Sequence, residues 1–415
     1  MKRFLTVAVL LLAAAVLFGA GQRESVQGIT LVQNKPEIDA QLQNYGSLWT
    51  QNSGIPVTIK SVGGGSGADM GQQLRADFAA GEMPDIFVIA GIEDYKEWES
   101  IILDLSGESW NDVTSVAFTH DGRVYGFPVA IEGWGLAYNA KLLQQADIDP
   151  AALTSYGAYK AAFEKLNSMK TQLGIDSVVS MAASADMGWV TAHHNFNSLL
   201  SNGLPYGDLS VVNDLLAGRV NRQRLSEYAD WVELLFRYAD RTVLTTGNYD
   251  AQVGAFAAGR AVFLHQGNWV DPNMAEAKVT FDMGFAPHGS MHADTDGIFV
   301  AAPSFYVINK NSKNIEGAKR FLNDMVYTEA GHEFMVDKAL MLPAFTNVDR
   351  MPTGQLSRSV QKWAANDKLY SWSQYYFTNE FRDQTLAPIY NQFAAGRINK
   401  ARFIELMTVA FEGLK

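Results

Sequence analysis

The amino-acid sequence predicts an α/β protein of two lobes, each a mostly parallel sheet flanked by helices, with a hinge and a cleft between them. Three observations predict it. Over residues 28–91, short apolar strands alternate with amphipathic helices, a rhythm that produces parallel strands covered on both faces. A strand-rich stretch recurs at 261–309 after a helix-rich middle, so each lobe is assembled from segments far apart in the chain. In GRVYGFPVAIEGWGLAYN, residues 122–139, an apolar strand is broken by Glu132 and Trp134, flanked by Gly133 and Gly135. That interruption marks a place where the strand leaves one lobe and enters the other.

The elements follow in order. After Gly28, ITLVQN reads as a strand. Ile38, Leu42, Tyr45, Leu48 and Trp49 recur at helical spacing, and Gly54 with Pro56 ends that helix. VTIKSV is a second strand, and the block GGGSG at 63–67 leads into a helix through Met70, Leu74 and Phe78 that Gly81 closes. Pro84 precedes DIFVIAG, a third and buried strand. Residues 140–260 are mostly helical, as in YKAAFEKLNSMKTQL and LSEYADWVELLFRYAD. AVFLHQGNW returns to strand, FYVIN at 305–309 is another, and the last hundred residues are again helical. The expected division is 28–132 plus 264–325 for the N-terminal lobe and 133–263 plus 326–415 for the C-terminal lobe.

Residues 1–21 read as a separate unit. Lys2 and Arg3 precede an uncharged apolar run from Phe4 to Phe18, and Gly19, Ala20 and Gly21 offer small residues for cleavage. This is the pattern of a secretory signal peptide, too short and wrongly flanked for a spanning helix, with a retained anchor as the alternative. The net charge of −11 argues against nucleic acid and anionic membrane surfaces as partners. The absence of cysteine excludes thiol catalysis, zinc–thiolate sites and a lipid-modified cysteine.

Several stretches could carry a site. Beyond the strand DIFVIAG, Gly91, Glu93 and Asp94 fall where open α/β sheets bind ligands, although Glu93 or Asp94 would equally cap a helix. GGGSG lacks the Lys-Ser/Thr of a phosphate loop; Asp69 beside it is a cleft residue or a helix cap. In HQGNW, Gly267 permits close backbone approach, Asn268 offers a donor and an acceptor, and Trp269 is core or a stacking surface. YSWSQYYFTNEF at 370–381 sets Tyr370, Trp372, Tyr375, Tyr376 and Phe377 among Ser, Gln and Asn. Rings interleaved with amides and hydroxyls suit a sugar, whose C–H face lies on a ring while its rim hydrogen-bonds. The histidines do not read as metal ligands: His193 and His194 are adjacent and point apart on a helix, and His288 and His292 bracket Gly289. No metal or cofactor is expected. A glycosidase would need paired carboxylates, and Glu132 with Asp69 or Glu93 is the pair available.

FAAGEMPDIF, GRVYGFPVAIEGWGLAYN, AFAAGRAVFLHQGNW, VINKNSKNIEGAKRFLNDM and ALMLPAF, in that order, resemble the solute-binding proteins of bacterial carbohydrate ABC importers, the family that includes the maltose-binding proteins. The resemblance implies the type II periplasmic-binding-protein fold, with sugar held between two hinged lobes and no catalysis. It places Glu132 and the Gly133–Gly135 turn at the first crossing, where Trp134 covers the cleft floor or packs under the hinge. It aligns Trp269 with a tryptophan that stacks on sugar. It puts Asn34, Lys35 and the loop Gly91–Asp94 at the cleft edge, and Trp372 and Tyr376 near the C-terminal stacking region. It implies a monomer that delivers a disaccharide or oligosaccharide to membrane permease subunits. Many relatives are lipoproteins; with no cysteine, this chain is expected free in a periplasm. The competing expectations are an exported glycosidase or lyase and a receptor for a non-sugar solute.

Overall fold

The structure, a computed structural model, describes residues 27–63 and 70–415; the expected signal peptide and Asp69 lie outside the described residues. The strands are, in chain order, β1 (Ile29–Gln33), β2 (Val57–Ser61), β3 (Ile86–Ile89), β4 (Phe118–His120), β5 (Arg123–Pro128), β6 (Glu132–Asn139), β7 (Ser177–Ser180), β8 (Ala261–Gly267), β9 (Met283–Phe285), β10 (Ile298–Ala301), β11 (Phe305–Ile308) and β12 (Leu369–Tyr370). They form two sheets, ordered β2-β1-β3-β11-β5-β4 and β12-β10-β6-β8-β7, with β9 also on β6.

In the first sheet β1 lies parallel to β2 and β3, as the β-α-β-α-β rhythm requires. Residues 86–89 are buried on both faces: Ile86 and Val88 enter one apolar cluster, Phe87 and Ile89 the other. That is why this strand reads as a continuous apolar run rather than an alternation. In the second lobe the helix Arg222–Tyr238 buries Leu225, Tyr228, Ala229, Val232 and Leu235 along one stripe. Its first turn is capped by Asn221, whose Oδ1 accepts from Arg224 N at 3.1 Å.

The sheets are mixed rather than mostly parallel, a correction with a topological cause. The chain leaves the first lobe through β5, enters the second through β6, and returns through β10 into β11. Two crossings side by side in opposite directions must pair antiparallel: β11 with β5 and β10 with β6. Val129 N donates to Ser304 O at 3.0 Å, which laces the two crossings together, and Ile131 N donates to Leu342 O at 2.9 Å on a later segment of the chain that lies beside them.

The expected lobe boundaries are corrected in two places. Strands β8, β9 and β10, within 261–301, pair in the second sheet with β6, not in the first. Val326, Phe334, Met335, Val336 and Phe345 pack into the core of the first lobe, not the second. A lone strand pattern carries no record of which sheet it joins.

Candidate functional site

The two lobes face each other across a cleft of about 450 Å³ that is open to solvent. Its floor lies at the hinge. Glu132, the first residue of β6, is buried, and its Oε1 forms an ion pair with Lys35 Nζ, which also stands 4.0 Å from Glu37 Oε1. Lys35 is held in place from behind: Gln33 Oε1 accepts from Lys35 N at 2.7 Å and Gln33 Nε2 donates to Lys35 O at 2.8 Å. Burial works against the lysine charge, but Glu132 and then Glu37 overcome it and keep the pKa above the ordinary value. Glu37 is left the poorer competitor: burial lifts its carboxyl from 4.5 to about 7, against the pull of Lys35.

The second lobe supplies an aromatic wall. Trp269 and Trp372 meet edge to face at 6.1 Å, and Trp372 runs on to Tyr375, stacked at 6.4 Å. Gly267 makes this possible, because a Cβ there would lie 1.9 Å from Trp269 Cζ3. The ring folds back over its own strand end, and Trp269 Nε1 donates to Gln266 Oε1 at 2.9 Å. The expected close backbone approach at Gly267 is therefore to the tryptophan ring itself.

Facing the wall are two π-helical turns, Val190–Asn195 and Phe381–Leu386. Such turns are rare and cluster at functional positions. They bring His193, His194, Arg382 and Asp383 to the cleft. Arg382 Nη1 donates to His193 Nδ1 at 2.8 Å, so that nitrogen carries no proton; Nε2–H then donates to Asp383 Oδ1 at 2.6 Å. His193 is thus neutral, and burial followed by the Arg382 charge keeps its pKa low. Arg382 also lies 5.5 Å over the Tyr375 ring and donates to Asn379 Oδ1 at 2.5 Å. Asn379 Nδ2 in turn donates across the cleft to Asp94 Oδ1 at 2.6 Å, tying lobe to lobe.

Of the residues singled out in the sequence, Asn34, Lys35, Asp94, Glu132, Trp269, Trp372 and Tyr375 line this cleft. Five others do something else. Trp134 is fully buried behind the aromatic wall, stacked on Phe299 at 4.4 Å and clustered with Tyr370 and Trp372. Asn268 braces the hinge: its Oδ1 accepts from Gly133 N at 2.9 Å and its Nδ2 donates to Ser357 Oγ at 3.1 Å. Gly91 is a contact point between lobes, where a Cβ would stand 2.7 Å from Tyr375 Cβ. Glu93 pairs with Lys96 on its own helix at 2.5 Å. Tyr376 is exposed, and its neighbour Tyr375 takes the cleft position. Sequence reasoning missed Glu37, Trp189, His193, His194, Tyr249, Asn379, Arg382 and Asp383 as cleft residues. For the last three the signal was present in TNEFRD, directly after the aromatic run. Among the described residues no group of three or more His, Cys, Asp or Glu side chains is arranged to hold a metal ion. No helix among them is long and apolar enough to cross a membrane.

Comparison with known proteins agrees with this architecture. A maltooligosaccharide ABC transporter solute-binding lipoprotein of Streptococcus pneumoniae is 22% identical over 335 residues, covering 76% of this chain and 71% of that protein. RafE solved with raffinose superposes with a TM-score of 0.76 at 17% identity, over 94% of this chain and 99% of that one. A chitin oligosaccharide binding protein reaches 0.76 at 18% identity, over 93% and 98%. A sugar transporter protein of Bacillus licheniformis in complex with stachyose reaches 0.73 at 17%, over 94% and 100%. These structures share the two-lobed fold, and the family described as bacterial extracellular solute-binding protein matches residues 47–389. The chain belongs to the bacterial extracellular solute-binding proteins.

Proposed function

We propose that this protein is the sugar-capturing component of an ABC importer. It closes on a disaccharide or oligosaccharide and presents it, as a monomer, to membrane permease subunits. One observation carries the reading: the aromatic wall of Trp269, Trp372 and Tyr375 faces a first lobe that offers Asn34, Glu37 and Asp94 across one cleft. A pyranose has apolar C–H faces and a rim of hydroxyls, and this pairing of surfaces matches both. The named ligands of the similar proteins, maltooligosaccharide, raffinose, stachyose and chitin oligosaccharide, support the class.

Closure follows from geometry. A ligand that touches both lobes stabilises the state in which they meet, and the laced crossings at 128–132 and 301–305 form the hinge. Binding without turnover is the consistent reading, since Glu132 is committed to Lys35. The apolar leader over 1–21 and the lack of cysteine support export as a free periplasmic protein with no lipid anchor.

Calorimetry with maltotriose, raffinose, stachyose and chitotriose tests the proposal; micromolar binding, about −8 kcal/mol, of at least one is expected. Heat signals from none of them, or new reducing ends after incubation, would overturn it.

A further inference from the structure

The charges at the cleft floor do not balance. Two carboxylates, Glu37 and Glu132, share the single ammonium of Lys35, which bonds Glu132 and stands 4.0 Å from Glu37 Oε1. The Glu37 side chain is only 8% exposed, yet it lines the cleft. Its only hydrogen-bond donor among the described residues is its own backbone amide. Other donors around it are committed elsewhere. Trp269 Nε1 goes to Gln266 Oε1 at 2.9 Å, Asn268 Nδ2 to Ser357 Oγ at 3.1 Å and Tyr249 Oη to Asn273 Oδ1 at 3.0 Å. A carboxyl group has about four lone-pair positions, so Glu37 has acceptor capacity left for whatever enters the cleft.

We infer that ligand capture releases a proton from Glu37: hydroxyl groups of the bound sugar donate to its oxygens, and the carboxyl proton leaves to solvent. This deepens the sugar-receptor reading and rests on it. Hydrogen bonds to a carboxylate are about twice as strong as those to a neutral acceptor, so a ligand that donates favours the ionised form. In the ligand-free protein burial favours the protonated form and lifts the carboxyl to about 7, against the pull of Lys35. Binding lowers that value again, and the released proton is the difference. The ligand edge read here is neutral and hydroxyl-bearing, because a ligand carboxylate would set a third negative charge beside one lysine.

The other groups facing Glu37 keep their charge state. Lys35 stays an ammonium, since Glu132 and Glu37 together overcome the effect of burial. Tyr249, on the helix Tyr249–Ala257, and Tyr306, on β11, are raised by burial and then by the Glu37 charge, so both remain neutral phenols. Asp271, on the helix Asp271–Glu276, spends its oxygens on Leu356 N at 3.1 Å and Ser357 N at 2.8 Å. Elsewhere in the cleft, burial holds His193 and His194 below the ordinary imidazole value. The sign follows from Glu37 alone. Its value is lower with ligand than without, so affinity is full above about pH 7 and falls, up to tenfold per unit, as the pH drops below it.

The test is calorimetry with whichever of maltotriose, raffinose, stachyose or chitotriose binds the unaltered protein best. Titrations at pH 6 in buffers of low and high ionisation enthalpy count the protons exchanged. Release of about 0.9 proton per sugar is expected, the fraction of Glu37 protonated at that pH. Between pH 8 and pH 5.5 the affinity of the unaltered protein is expected to fall about 30-fold, the limit reached when only the ionised form binds. Glu37→Gln has no proton to lose there, so its affinity should change less than threefold over the same range and its proton count should be near zero. Proton uptake, no proton exchange, affinities within threefold at the two pH values, or the same pH dependence in Glu37→Gln would overturn the inference and leave the sugar-receptor reading standing. Should Glu37→Gln fail to fold, the proton count of the unaltered protein decides alone. If the unaltered protein binds none of these sugars, the sugar-receptor reading is the one that fails, and this inference falls with it.

Discussion

Gly267→Ala is the smallest change that should separate the site from the fold. The backbone at Gly267 is extended, with φ −111° and ψ −173°, so alanine meets no backbone strain. The cost lies in the ring above it. The new Cβ would stand 1.9 Å from Trp269 Cζ3 and 2.4 Å from both Cε3 and Cη2. Carbon atoms settle about 3.5–4.0 Å apart, so the indole must retreat by about 1.6 Å or more. A shift of that size stretches the 2.9 Å bond from Trp269 Nε1 to Gln266 Oε1 beyond hydrogen-bonding range. Overpacking of this kind costs about 1–3 kcal/mol of stability, and a displaced stacking surface about 0.5–1.5 kcal/mol of binding. The expected result is a roughly tenfold rise in Kd by calorimetry with a folded, cooperatively melting protein, since a tenfold change is about 1.4 kcal/mol. Affinity within twofold of the unaltered protein would show that the Trp269 ring does not form the wall, and the reasoning fails.

Further outcomes follow from the hinge, the lobe contact and the core. Glu37 keeps its proton in the folded state up to about pH 7 and releases it near 4.5 when unfolded. Its contribution to stability is therefore full below about pH 4.5 and is lost as the pH rises through about 7, a difference of about 3 kcal/mol. Glu37→Gln should flatten that part of the pH–stability curve and stabilise the protein at pH 8; urea midpoints at pH 5.5 and 8 that shift in parallel would contradict this. Gly91→Val places a side chain where Tyr375 Cβ already stands, which should wedge the lobes and break the Asn379–Asp94 bond. A larger radius of gyration in solution scattering and weaker sugar binding by about 1.5–3 kcal/mol are expected, and an unchanged radius with unchanged affinity would count against a lobe contact here. Trp134→Ala removes a fully buried ring stacked on Phe299 and should cost about 3–5 kcal/mol in urea unfolding. A loss below about 1 kcal/mol would mean that the ring is not part of the core.

Much of this architecture was legible from local pattern. The apolar run of DIFVIAG, the Gly81 cap and the β-α-β-α-β opening are dictated within a few residues of themselves, by periodicity and backbone sterics. The crossing at Glu132 was legible for a related reason: a carboxylate between glycines in an apolar strand has no local explanation, and so points to a special place. Trp269 and Trp372 followed from aromatics set among amides beyond a strand end.

Other features depended on contacts that no local pattern encodes. Trp134 and Trp269 have similar surroundings in the sequence, yet one fills a core and the other a cleft, because pairing in β6 turns Trp134 toward Phe299. The choice of Tyr375 over Tyr376 was set by the short turn Gln374–Tyr376, which has no periodicity to read. His193 and His194 were read only as poor metal ligands; that both reach the cleft was set by how the turn Val190–Asn195 packs against Arg382 on one side and the tryptophans on the other. The assignment of 264–301 and 326–348 to their lobes, and the antiparallel pairing of the crossings, came from the path of the chain between two sheets. Sequence alone determined which segments are strands and helices and where the chain must bend, because those are short-range matters of sterics and burial. Tertiary structure decided which ring faces the cleft, since the direction of a side chain depends on the partner its element happens to find.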